Sequence, residues 1–412
     1  MSTKVNGAKT TLLAARTAAV FVVLLGLVSL FADMTYEGAR SLHGQFLELL
    51  GASAAAVGIA AGAGEFLGYG IRFFSGYLAD RSRRYWAITF AGYCINLFAI
   101  PAMALAGRWE VAIALLFLER IGKGIRNPAR DAMLSYATSQ TGRGAGYGLH
   151  EALDQIGAVT GPLVVAGVLW LRIGTHGDLA AYQSSYGLLL FPALVALAIL
   201  TGARLLFPRP SELESKTPRI GTTGFSRRYR LYLVAVGCFA AGFADFALMA
   251  YHFRAVRLAP DQWIPIFYAL AMGIDALAAL ALGRLYDRVG SRLLLGIFAV
   301  AACFAPLVFL GSLPLALLGL GLWAIGMGAQ ESVMRAIVAD LVPHERRALG
   351  FGLFHTGFGI AWFLGSALMG VLYDQSRIAL VLFSVLIQLC AIPVLLAAGK
   401  AEAEERPGAS RP

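Results

Sequence analysis

Charge is the scarcest ingredient of this sequence. Asp, Glu, Lys and Arg make up 14% of its 412 residues, where an ordinary soluble protein carries about 25%. Hydrophobic residues reach 58% and mean hydropathy is +0.70. That excess is too large for one buried core. It excludes a single soluble domain and points to a polytopic membrane protein. Cysteine is also scarce. Cys94, Cys238, Cys303 and Cys390 each stand alone in an apolar run, which excludes a disulfide framework and CxxC metal spacing. They read as small hydrophobes within helices. The nucleophile elbow, HExxH and a complete nucleotide-binding loop are all missing. An enzyme is therefore not expected, nor a cofactor or a resident metal.

Acids are the minority sign, 24 against 34 basic residues, for a net charge of +10. In a soluble chain this would suggest nucleic acid. The position of the charges argues otherwise. Apolar runs of about 20 residues, the length a bilayer requires, recur along the chain. They predict helices near 17–40, 53–79, 85–106, 110–134, 146–172, 184–206, 230–256, 263–287, 292–312, 314–338, 349–374 and 377–398. The first follows Lys4, Lys9 and Arg16 as a signal peptide would, but the charged "DMTYEGAR" stands where a cleavage site should be. The polar stretch 208–230 divides the spans into a first half, 1–207, and a second, 231–412. Basic residues collect in alternate loops, such as Arg81, Arg83, Arg84, Arg143, Arg204, Arg288 and Arg292, and in both tails. The positive-inside rule then predicts cytoplasmic termini. The basic balance needs no nucleic acid.

The halves repeat. "LFADM" (30–34) returns as "GFADF" (242–246), "GYLADRSRR" (76–84) as "GRLYDRVGSR" (283–292), and "GRGAGYGL" (142–149) as "RRALGFGL" (346–353). A parallel duplication of six helices places a binding site between the halves near the midplane.

On these residues the chain resembles the major facilitator superfamily. Gly76, Asp80, Arg81 and Arg84 resemble its loop between the second and third helices. Gly283, Asp287, Arg288, Gly290 and Arg292 resemble the copy between the eighth and ninth. Arg120 and Gly124 fit the fourth-helix motif. Gly157, Gly161 and Pro162, in "GAVTGP", fit part of the fifth-helix motif carried by the family's exporters. "FADMTYEG" and "ERIGKGIRNPARDAML" resemble a prokaryotic subgroup whose members mostly lack an assigned substrate. One position departs. Arg83 stands where the family loop has glycine, so this turn is expected to find another backbone solution or to be one residue shorter. The resemblance implies an all-α membrane protein of twelve transmembrane helices in two pseudo-symmetric six-helix bundles. It implies a secondary active transporter that moves a small solute by alternating access.

Ionisable groups inside a membrane cost about 2.5–3.5 kcal/mol each and need a partner or a wet cavity. Those found here are candidates for substrate binding or proton coupling. Asp33 and Glu37 share a face of the first helix, and Asp245 holds the position of Asp33 in the second half. Asp33 and Asp245 are expected to oppose each other across a central cavity. Arg40 is expected near the outer interface. Glu65 and Arg72 lie two turns apart on the second helix. His150, Glu151 and Asp154 lie on the fifth. Glu331 and Arg335 read as a pair within the tenth helix, and His252 and His355 as satisfied polar contacts.

"ERIGKGIRNPARD" (119–131) looks like a phosphate loop but has the wrong spacing for one. At helical spacing Glu119, Lys123, Arg126 and Arg130 form one stripe, with Arg120, Gly124, Asn127 and Asp131 beside it. Pro128 is expected to bend the helix against the carbonyl of Gly124. Arg120 and Lys123 are expected to face the cavity and the fifth-helix carboxylates, and Arg72, Lys123 and Arg126 are also candidates for binding an anion. Arg130 and Asp131 are expected to join a cytoplasmic latch with Gly76, Asp80, Arg81, Arg84, Gly283, Asp287, Arg288 and Gly290.

The expected activity is proton-coupled transport, with export of an amphipathic or cationic compound from the bacterial inner membrane by a monomer. The expected partners are a small-molecule substrate, protons and the lipid bilayer. Two alternatives stay open. One is a divalent-metal exporter using Asp33, Glu37, Asp245 and His252. The other is a non-transporting sensor on the same fold, which would tolerate loss of the Asp33 charge.

Overall fold

A computed structural model describes the chain except Met1, Gly142, His176 and residues 210–224, 343–346 and 406–412. The side chains of 2–16, 73, 80, 136, 138–148, 347–349 and 400–405 also lie outside the described set. Among the described residues the regular elements are helices. They are α1 (Ser2–Leu49), α2 (Ala54–Ser82), α3 (Tyr85–Ala102), α4 (Trp109–Thr141), α5 (Arg143–Arg172), α6 (Asp178–Leu188), α7 (Leu190–Leu206), α8 (Arg227–Gly242), α9 (Phe246–Ala255), α10 (Ile264–Val289), α11 (Leu293–Ala301), α12 (Phe304–Leu310), α13 (Leu313–Ala329), α14 (Arg335–Leu341), α15 (Arg347–Gln375) and α16 (Arg377–Glu405).

Ten stretches are long and apolar enough to cross a membrane. One of them, Asp261–Leu310, holds two spans, α10 and α11–α12, joined by a 3-10 turn at Gly290–Arg292. The charges of Glu119–Asp131 keep α4 out of the ten, although it is 33 residues long. Twelve spans result, because the sixth, seventh, ninth and tenth are each built from two helices. The tenth is interrupted by a π turn at Gln330–Met334. That turn begins just before Glu331 and ends just before Arg335. The first span runs to Leu49 rather than ending near 40. Arg40 is buried rather than interfacial, as are Glu37 and His43. Charge on an interior face does not mark a membrane boundary.

The chain forms two compact units. One comprises residues 1–42 and 67–217, the other 43–66 and 218–412. The turn between the first two spans thus belongs with the second unit, not with residues 1–207. An acidic cap explains part of this. The amides of Ala54 and Ala55, in the first turn of α2, donate to Asp374 Oδ1 and Oδ2 at 3.1 and 2.8 Å, where a carboxylate offsets the helix dipole. Arg254 adds a bridge to Glu48 (2.5 Å) and another to Asp261.

The first unit's core joins Phe21, Leu25 and Val28 of α1 to Tyr93 and Leu97 of α3, Met133 of α4 and Leu200 of α7. Burial of such side chains contributes about 1.5–3 kcal/mol each. The second unit's core is aromatic. Phe239 stacks on Phe298 at 4.6 Å, and Phe243 packs on Trp323 and Trp362 at 5.7 and 5.6 Å.

Candidate functional site

The densest set of intramembrane charges lies in the first unit, where α4 and α5 meet α1. Gly157 and Gly161 of α5 explain the α5–α1 contact. A Cβ on Gly161 would lie 2.9 Å from the amide of Gly38, and one on Gly157 would lie 3.0 Å from that of Met34. Only glycine admits so close a backbone approach. One turn before Gly157, Asp154 reaches α1, accepts a hydrogen bond from Ser29 Oγ, and sits within hydrogen-bonding reach of Asp33.

Across from these carboxylates stand the cations of α4. Arg126 is 1% exposed, yet its Nη2 lies 3.8 Å from Asp33 Oδ1, longer than a good charge-assisted hydrogen bond. Its guanidinium sits 4.3 Å from the ring centre of Tyr93. Among the described residues Nε and Nη1 of this buried side chain have no hydrogen-bond partner. Arg130 Nη1 donates to Ser29 Oγ at 3.3 Å, while Nε and Nη2 hold Asp131 at 3.0 and 2.8 Å. Lys123 Nζ lies 3.3 Å above the ring of Tyr36, and Arg120 approaches the same ring at 5.0 Å. Glu37 is buried close to Asp33 and Lys123. Glu119 is fully buried, with Oε1 accepting from Asn96 of α3 at 2.9 Å.

Several expectations change here. Lys123 and Arg120 face Tyr36 of α1 rather than the fifth-helix carboxylates. Arg130 reaches Ser29 and Asp131, and its expected latch with Asp80 falls on a side chain outside the described residues. Glu151 is exposed, beside Gln155 at 3.4 Å, so the α5 contribution is Asp154. His150 is buried on the same helix. Arg72 lies over Tyr69 of its own helix at 4.7 Å, and Glu65 is half-buried within the second unit. Pro128 lies inside α4, which runs on through it. It has no N–H for the Gly124 carbonyl, and Ser75 Oγ of α2 donates to that oxygen at 2.9 Å instead.

Asp245 behaves unlike Asp33. The seventh span is not continuous. It breaks at Phe243–Asp245, and Asp245 caps α9 by accepting from the amide of Ala247 at 2.9 Å. His252 Nδ1 lies 2.9 Å from the Tyr373 hydroxyl, a satisfied polar contact. His355 packs between Phe351 and Phe354. Among the described residues no three His, Cys, Asp or Glu side chains gather as metal ligands would.

The sequence profile described as Major Facilitator Superfamily matches residues 17–330 and 262–412. The chain belongs to the major facilitator superfamily. It is 40% identical over 383 residues to Uncharacterized protein Rv2265 of Mycobacterium tuberculosis, covering 92% of each chain. It is 26% identical over 352 residues to Multidrug resistance protein MdtH of Edwardsiella ictaluri, covering 81% of each. Its fold matches the crystal structure of a bacterial homolog to the human lysosomal transporter Spinster. The TM-score is 0.73 at 15% identity, over 96% of this chain and 99% of that one.

The two major facilitator loop motifs share a positive φ at one matched position. Arg83 takes the left-handed conformation, φ 52°, at the position where Gly290 of the second copy has φ 71°. As expected, the first turn is one residue shorter, with 83–84 between α2 and α3 against the 3-10 turn 290–292 between α10 and α11, and the arginine bears the strain. Gly76 packs on Pro128, at 3.5 Å for a Cβ placed there, and Gly283 near Ser332. Arg81 donates to Tyr77 at 2.8 Å. Arg84, Asp287 and Arg288 are exposed, and the Asp80 side chain lies outside the described residues. Pro162 sits inside α5. Three site residues escaped the reading of the sequence. Ser29 and Tyr36 were findable, being within one turn of Asp33 on α1. Tyr93 carries no sequence signal, since its role comes from α3 packing on α4.

Proposed function

We propose that the protein is a proton-coupled secondary transporter that exports a small amphipathic solute across the bacterial inner membrane, with both termini cytoplasmic. The observation that carries this reading is the Asp33–Asp154 contact beside an under-bonded, buried Arg126. Two carboxylates this close repel as anions, and a proton between them removes the repulsion. A proton on Asp33 also weakens its hold on Arg126, whose unfilled donors then suit an acceptor on a substrate. Proton and substrate thus compete for one set of groups, the minimal requirement for exchange.

Export is supported by "GAVTGP" and by the relative named a multidrug resistance protein. The aromatic rings around the cations suit an amphipathic partner.

Proteoliposomes holding the purified protein test this reading. With an imposed pH gradient, the wild type is expected to acidify or alkalinise the lumen when substrate is added. Candidate solutes are first ranked by the thermal stabilisation that binding produces. Asp33→Asn is expected to bind the solute yet show no proton movement. Full proton-driven flux in that variant would remove Asp33 from the mechanism.

A further inference from the structure

We propose that the α2–α3 turn and the end of α7 form a binding site for one anionic phospholipid of the surrounding bilayer. A cavity of 480 Å3 there is lined by Arg83, Arg84, Arg204 and Arg209 together with Tyr85 and Trp86. Among the described residues no carboxylate lines it. The positive-inside rule explains arginines in a loop but not their convergence on one concavity from two separate segments.

Further features give the cavity a preference for phosphate. It opens on the first turn of α3, whose N-cap, Arg84, makes no side-chain capping bond. The first-turn amides have no partner within the helix, and such amides bind anions. Trp86 is held in place, its Nε1 donating to the Phe207 carbonyl at 2.9 Å. The left-handed Arg83 is the residue that turns the chain so that Arg83 and Arg84 line the same space.

A second cavity, of 690 Å3, adjoins the first and shares Arg84 and Ala87 with it. Its wall is apolar, formed by Phe74, Leu78, Ile88 and Ile125. Phe74 is 71% exposed and Leu78 54%, so the crevice opens outward between helices. A free phosphate would use only the basic cavity. A phospholipid fills both, with its headgroup among the arginines and an acyl chain along α2 and α3. That continuity selects a lipid as the occupant.

The test is a titration of the full chain, in neutral detergent, with phosphatidylglycerol, reading the thermal unfolding midpoint. Phosphatidylcholine with the same acyl chains, inorganic phosphate and glycerol 3-phosphate are the comparison ligands. Phosphatidylglycerol is expected to give a saturable upward shift that the other three do not match. Arg84→Gln with Arg204→Gln is expected to weaken it by about fivefold for each arginine removed. Ala87→Trp fills the crevice without touching charge and is expected to weaken it as well. Arg227→Gln with Arg230→Gln removes the same charge elsewhere and is expected to leave the titration unchanged. Equal loss in that control would show diffuse attraction and overturn the proposal. So would an equal shift from phosphate, which would mean a simple anion site, or an unchanged titration in Ala87→Trp. All the substituted side chains are solvent- or lipid-facing, and each variant's midpoint without lipid reports its fold. None of these outcomes depends on proton coupling.

Discussion

Asp33 and Asp245 occupy matching places in a duplicated sequence, yet they do different work. Asp33 projects from an unbroken α1 into a network of opposing charges, with Arg126 at 3.8 Å. Asp245 sits at a break in its span and caps α9. The break is stabilised by its neighbours. Its freed carbonyls are taken by side chains of other helices. Ser384 Oγ and Gln388 Nε2 donate to Gly242 at 2.6 and 2.9 Å, and Trp323 Nε1 donates to Ala244 at 2.9 Å. Gly242 permits this, since a Cβ there would lie 2.6 Å from Gln388 Cγ. The repeat keeps the letter, while the two packings give it different surroundings. One half became an ionic unit, the other an aromatic unit with a polar clasp.

The largest expected effect tests that division directly. Asp33→Asn is expected to abolish proton-driven flux. Asp245→Asn, which keeps an excellent capping side chain, is expected to retain most of it. Equal loss in both, measured in the same liposomes, would restore the symmetric reading and break the comparison. Next comes the clasp. Ser384→Ala with Gln388→Leu leaves the Gly242 carbonyl buried and unpaired, at a cost of about 1–3 kcal/mol. Thermal unfolding in detergent is expected to show it, without a change in the pH dependence of transport. Asp245→Ala is expected to cost about 1 kcal/mol through the lost cap, and a far larger loss would give Asp245 a part beyond capping. The smallest change is Arg83→Gly, which relieves a left-handed arginine. It is expected to stabilise by about 1 kcal/mol, read as a raised unfolding midpoint. A lowered midpoint would mean the arginine's contacts outweigh its backbone strain.

Much of the fold was legible because hydropathy and the repeat are local or periodic properties. Twelve apolar runs, the 208–230 divider and the duplicated loop letters are all on the surface of the sequence. The site was legible in part. The stripes of α4 named the correct cations, because helical spacing dictates which residues share a face. Their partners were assigned less well. Lys123 and Arg120 were directed at α5 and instead meet Tyr36. Glu151 was ranked with Asp154, though only Asp154 reaches α1. The rotation of one helix about its axis relative to another is set by the packing of both, and a single helix does not encode it. The breaks at Phe243–Asp245 and the π turn at Gln330–Met334 escaped for a similar reason. The break is held by bonds that distant residues supply, and the π turn widens the backbone spacing.

The sequence by itself therefore determined that this chain spans a membrane in twelve passes, is built of two repeated halves and carries ionisable residues within its apolar spans. Those conclusions follow from composition, run length and spacing, which act residue by residue. Only the tertiary structure decided which charges meet. The contact of Asp154 with Asp33, the loose hold on Arg126 and the conversion of Asp245 into a cap depend on helices brought together from far along the chain. In a low-dielectric interior an ångström of separation changes an ionic interaction by far more than in water.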